Sequence, residues 1–189
     1  MKKFVLSLLA SLLVTGAAMA QPAGATLTHR SGNLALYVSH DSETGDEMNP
    51  YVSSVWLVDE NAGTQKKLLT TNPKSTFAWW DMARARDARP VPLNDIIVAE
   101  RAMFCPYDSD IVLVEGCCDA RNTFTVMINT ATGQAWHLPS TSGLVGFAAE
   151  DGLVLVESYA YYPGGGRYSV LKAFTTQGKW VNAMDLKMP

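Results

Sequence analysis

The residues able to do chemistry are few and scattered. His29, His40 and His137 stand singly, none with a second ligand at metal-binding spacing. His40-Asp41 has the composition of half a catalytic triad, a base beside a carboxylate, but no Gly-x-Ser-x-Gly elbow supplies a nucleophile. There is no Gly-x-Gly-x-x-Gly fingerprint and no phosphate loop. Gly164-Gly165-Gly166 lacks the following Lys-Ser/Thr and a helix to aim amides at phosphate. The loop from His40 to Pro50 gathers Asp41, Glu43, Asp46 and Glu47, but the oxygens miss the spacing of a calcium loop. Paired carboxylates there are what a small glycosidase-like hydrolase needs, since that chemistry requires no local motif. On these patterns no catalytic residue, metal or cofactor is assigned.

Recognition chemistry is better represented. The segment 72–92 carries Phe77, Trp79, Trp80 and Met82, followed by Arg84, Arg86 and Arg89. Its stretch Ala83 to Ala88 favours a short helix halted before Pro90. Trp79 and Trp80 either stack a sugar or anchor a partner, or pin the segment to the body of the fold. Tyr159, Tyr161, Tyr162 and Tyr168 flank Pro163-Gly164-Gly165-Gly166-Arg167. The glycines free the loop, and the tyrosines offer rigid amphipathic contact area unless they pack within strand ends.

The elements that hold these residues read as β-strands repeated in a fixed order. A first apolar run, Leu34 to Ser39, has counterparts at Ile111 to Gly116 and Leu153 to Ser158, each after a polar turn. A second run is Ser54 to Asp59, then Phe124 to Asn129, then Ser169 to Phe174. Each ends in a turn closed by glycine, at Gly63, Gly133 and Gly178. Final strands follow at Gln65 to Leu69, Gln134 to Leu138 and Lys179 to Met184. Upstream strands are expected at Thr26 to His29, Ile96 to Glu100 and Leu144 to Ala148. The pattern predicts an all-β fold of antiparallel four-stranded meanders a–b–c–d, three propeller-like blades with an insertion at 72–92; the alternative is a β-sandwich or barrel.

The first 20 residues have the features of a secretory signal peptide. Lys2 and Lys3 precede an apolar stretch from Phe4 to Val14, and Ala18-Met19-Ala20 fits a cleavage site. The stretch is too short to span a bilayer, so no membrane span is expected after cleavage. Cleavage would leave 169 residues as a single domain, 21–189, with 13 basic against 18 acidic side chains, a net charge of −5. An acidic surface cannot neutralise phosphates, so a nucleic-acid partner is not expected. A periplasmic or secreted location follows from the leader.

The first repeat resembles the TolB-type β-propeller repeat family. The resemblance rests on the polar glycine turn before Leu34, the Val55-Trp56-Leu57-Val58-Asp59 strand, the Gly63 turn and the basic-Leu-Leu-Thr run from Lys67 to Thr70. The other two copies match in spacing and lack the aromatic at the Trp56 position. The resemblance implies a blade-based fold, as found in exported binding and scaffolding proteins and in gating domains of serine peptidases, and little about activity. Closed propellers have four to eight blades. A three-blade arc would leave two terminal apolar faces, and pairing of two copies into a homodimer would cover them.

Alternate loops fall at opposite ends of such sheets, and the b–c and d–a loops carry the variety. The expected function is therefore an exported, non-catalytic binding module for a protein or glycan, using Trp79, Trp80, Tyr159, Tyr161, Tyr162 and Arg167. The hydrolase built on Asp41 or Glu43 is the alternative. Cysteine gives a register check. Strand b separates Cys105 from Cys117 and Cys118 by about 20 Å, far beyond disulfide reach. Cys105 should be unpaired and buried beside Phe104, with Cys117 and Cys118 either free or joined as a vicinal ring.

Overall fold

A computed structural model describes residues 21–46, 50–76, 87–119, 122–140 and 143–181, the side chains of 117–119 and 122 excepted. It is all-β, with antiparallel sheets of four or five strands. The first sheet is a meander of β1 (Ala25–Ser31), β2 (Leu34–Glu43), β3 (Tyr51–Asp59) and β4 (Thr64–Thr70). After it come the two-residue β5 (Arg89–Pro90) and a 3₁₀ turn at Leu93–Asp95. The second meander is β6 (Arg101–Cys105), β7 (Asp108–Asp119), β8 (Asn122–Asn129) and β9 (Ala135–Leu138), and β5 joins it as a fifth strand on β9. The third is β10 (Leu144–Ala148), β11 (Leu153–Tyr161), β12 (Arg167–Thr175) and β13 (Trp180–Val181). Among the described residues no helix is long and apolar enough to cross a membrane.

The period-2 alternation of the strands determines how the sheets stack. In β7, Val112 and Val114 join a core shared with Leu36, Val38, Val55 and Leu69 of the first sheet. Their neighbours Ile111 and Leu113 join a second core with Val154, Val156 and Phe174 of the third. The middle sheet is thus covered on both faces, and the run Ile111 to Val114 at the centre of β7 is continuously apolar, as a doubly buried strand segment tends to be. The facing also keeps one sense. Numbering each b strand from Leu34, Ile111 and Leu153, odd positions of the first two face the following sheet and the second and fourth positions of the last two face the preceding one, with the remaining faces of the first and third strands turned outward.

The joints between sheets use backbone polar groups. The Thr28 hydroxyl donates to the Ala102 carbonyl at 2.8 Å, and the Phe104 N–H donates to His29 Nδ1 at 3.3 Å, so β1 and β6 lie edge to edge. The sixth position of each b strand is small for a reason. A Cβ on Gly116 would meet Phe124 Cζ at 2.7 Å and Val98 at 2.9 Å, and the equivalent Ser39 and Ser158 are both buried.

Three details depart from the sequence reading. The a strand of the second repeat is Arg101–Cys105 rather than Ile96 to Glu100. Ile96, Ile97, Val98 and Ala99 are all buried as an unladdered connection that fills the first core; four consecutive apolar residues fit a covered strap as well as a strand. The b–c connection of that repeat is only residues 120 and 121, because β7 runs on through Cys117 and Cys118. Finally, the segment 72–92 ends in the sheet itself, where Arg89 pairs with His137 and Pro90 with Trp136. Cys105 closes β6 opposite Asp108, and it is free and buried. It faces the third sheet, whereas Phe104 faces the first.

Candidate functional site

The aromatic loop is the tip of the β11–β12 hairpin, and register divides its residues between two faces. Tyr161 lies opposite Arg167, and Tyr159 opposite Ser169. These point away from the middle sheet, on the outer face, where the Arg167 guanidinium carbon stacks 4.1 Å from the Tyr159 ring centre. Tyr168, opposite Ala160, belongs to the other face and meets Tyr162 across the turn, with ring centres 4.6 Å apart and planes tilted by 42°. Gly165 and Gly166, with φ of 94° and 83°, permit that turn. The five residues singled out from sequence at this hairpin therefore form two contacts, Tyr159–Arg167 with Tyr161 outside and Tyr162–Tyr168 inside. Trp79 and Trp80 lie outside the described residues.

Exposure sets this hairpin apart. Tyr161, Tyr162 and Tyr168 are 50%, 57% and 41% exposed, and Leu171 and Val145 of the same sheet are 44% and 58%. The middle sheet contributes no exposed large apolar side chain among its described residues, and the first contributes Leu27 and Tyr51.

Asp41 sits in a different setting, on the outer face of the first sheet. Ser39 and Ser54 donate to its two oxygens at 2.6 and 2.5 Å. The Ser54 hydroxyl also meets that of Thr70 at 2.9 Å, and the Trp56 indole N–H donates to Ser39 at 3.1 Å. Lys67 lies 3.8 Å from the carboxylate and 4.6 Å from the centre of the Trp56 ring. Partial burial alone would raise the Asp41 pKa; the two serine hydroxyls, then Lys67 and His40, overrule it and hold the carboxyl below its ordinary value. An acid so held is a hydrogen-bond acceptor that organises a sheet face. His40 points elsewhere, stacked on Tyr51 at 4.6 Å. Glu43 and Asp46 line a cleft of about 450 Å³ with Thr71, Asn72 and Lys74; Glu47 lies outside the described residues. Among the described residues no three His, Cys, Asp or Glu side chains converge as metal ligands would.

Two buried polar groups were not legible as such. Glu115, 8% exposed, accepts from the Leu144 N–H at 2.7 Å and from Arg101 Nε at 2.5 Å, joining the second sheet to the first residue of the third. A Cβ on Gly143, whose φ is 90°, would lie 2.7 Å from the same carboxylate. His137 is 1% exposed beside Phe124, ring centres 6.0 Å apart. Burial, and secondarily Arg89, lowers its pKa to about 3, so it is neutral and structural. The one sequence clue was a glutamate inside the run Ile111-Val112-Leu113-Val114-Glu115.

The chain matches no protein-family model, no curated protein and no solved structure. Function must therefore be argued from the surface itself, and the surface offers exposed tyrosines on one hairpin and a sealed polar network at the opposite end of the stack.

Proposed function

We propose that this chain is an exported, non-catalytic binding module that holds a protein or glycan through the tip of the β11–β12 hairpin, and that its three meanders are blades of a TolB-like propeller arc. The observation that carries the binding reading is the concentration of exposed aromatic area at one hairpin, on a chain whose middle sheet exposes no large apolar side chain among its described residues. Tyrosine contributes rigid contact area with a hydrogen-bonding tip, which suits either class of ligand. The arc reading is supported by the constant sense of facing in the three b strands and by the edge contact of β1 with β6, both natural to stacked blades. The leader-like first 20 residues support export. The hydrolase alternative needs a carboxylic acid kept protonated near neutrality, and Asp41 is shifted the other way.

The test is retention from envelope extract beside a glycan array, for the chain from Gln21 onward and for a Tyr162→Ala/Tyr168→Ala double variant. The reading expects specific retention without turnover, weakened at least tenfold in the double variant. Turnover abolished at Asp41 or Glu43, or retention indifferent to both tyrosines, would contradict it.

A further inference from the structure

The outer face of the third sheet occupies a position that the repeat covers in the other two copies. The first, third and fifth positions of b strands pack on the next sheet, as Leu36 and Val38 do in the first and Ile111 and Leu113 in the second. In the third these positions are Leu153, which is buried, and Leu155 and Glu157, which are partly buried, and among the described residues no sheet lies beyond them. The face continues through Tyr159 and Tyr161 on β11 and Arg167, Ser169 and Leu171 on β12. Leu171 and Tyr161 are 44% and 50% exposed.

Charge identifies the occupant. Glu157 lies opposite Leu171 and Arg167 opposite Tyr161, so the two charges stand at opposite ends of one diagonal with Tyr159 between them. Four residues of strand separate their rows, about 13 Å. Among the described residues neither has an ion-pair partner in its own chain. Such a diagonal is self-complementary. A two-fold axis through the Tyr159 region lays Arg167 of one copy on Glu157 of the other, twice, and sets Leu171 and Tyr161 into the shared apolar area. The first sheet is no alternative mate. Its outer apolar residues Ala35, Tyr37 and Val58 are already buried, with Trp56 packed against them and the Ser39–Asp41–Ser54 network at their margin.

We infer that the outer face of the third sheet is a homodimer interface, formed isologously by a second copy through reciprocal Arg167–Glu157 pairs around Tyr159. Nine-residue strands give a face about 30 Å long and roughly 15 Å wide, near 1,000 Å² for both copies, at the lower edge of specific interfaces. Association is therefore weak, in the micromolar range, and sensitive to salt.

Sedimentation of the chain from Gln21 onward, between about 1 and 300 μM, tests this together with a charge-swap cycle. The expected result is concentration-dependent dimer, weakened about tenfold or more by Glu157→Arg or by Arg167→Glu and recovered to within about threefold in the Glu157→Arg/Arg167→Glu double variant. Both substituted residues reach solvent, Glu157 in part and Arg167 freely, so folding is not at stake, and circular dichroism verifies it. A monomer at every concentration overturns the inference. So does a dimer indifferent to the single reversals, or a double variant no better than its parents. Ligand retention through Tyr162 and Tyr168 is read separately and is unaffected by any of these outcomes.

Discussion

The two ends of the stack solve the same problem in opposite ways. Both the first and the third sheet have one face turned from the middle sheet. The first closes that face with its own side chains: Trp56 lies half-buried over Ala35, Tyr37 and Val58, Lys67 covers the ring, and Asp41 is bound by two serines. The third leaves Leu171 and Tyr161 exposed and Glu157 and Arg167 without intramolecular ion pairs among the described residues. The glutamates at matching repeat positions make the contrast sharpest. Glu115 is buried and holds the first N–H of the following sheet, whereas among the described residues Glu157 has no following sheet to hold. A repeat position therefore specifies a facing direction, and what lies in that direction decides whether it is structural or available.

The largest effect that would sharpen this comparison lies in the middle sheet, covered on both sides. His137 has a folded pKa of about 3 against an ordinary 6.5, so the unfolded chain binds the proton more readily. Its contribution is complete above pH 6.5, falls as pH drops through 6.5 and continues to fall until about 3, by an amount of order 5 kcal/mol. Urea titrations across that range should show the acid limb, and His137→Leu should flatten it. Next comes the pair of glutamates. Glu115→Ala leaves the Leu144 N–H and the Arg101 guanidinium without their acceptor and should cost about 3 kcal/mol. Glu157→Ala, measured on the dilute monomer, should change stability by under about 0.5 kcal/mol. Equal losses from the two would erase the distinction between the ends.

Two smaller effects probe the joint between the second and third sheets and the polar network of the first. Gly143→Ala should destabilise by about 2 kcal/mol, because a left-handed φ and the Glu115 carboxylate both resist a methyl group. Ser54→Ala removes a donor to Asp41 and should cost about 1 kcal/mol. Its more specific signature is an upward shift of the Asp41 titration, followed by carboxyl NMR. Since the Asp41 pKa is held low in the folded state, its contribution is present above the unfolded pKa and lost as pH falls through the folded one. The variant should narrow that loss.

Much of the fold was readable because the periods were regular. The three b and c strands appear where alternating apolar runs between glycine turns put them, and Cys105 is free as the strand length required. The reading failed at Ile96 to Ala99, where four consecutive apolar residues carry no period and pack as a strap. It also ended the strand at Gly116, short of Cys117-Cys118, because a glycine there looks like a strand end until Phe124 and Val98 are seen pressing on it. The site was legible by composition only. Nothing local says that Tyr159 and Tyr162 fall on opposite faces; that follows from parity once the hairpin register is fixed. The Asp41 network joins three strands and has no contiguous signature at all.

The most direct test of the open and sealed ends is hydroxyl-radical footprinting read residue by residue, in dilute and concentrated solution. Tyr161, Tyr162, Tyr168 and Leu171 should be modified rapidly in the dilute chain, and Tyr37 slowly. On concentration, Tyr161 and Leu171 should become protected while Tyr162 and Tyr168 stay reactive. Slow modification of Tyr161 and Leu171 in the dilute chain, or protection on concentration that falls on the first sheet instead, would contradict the account.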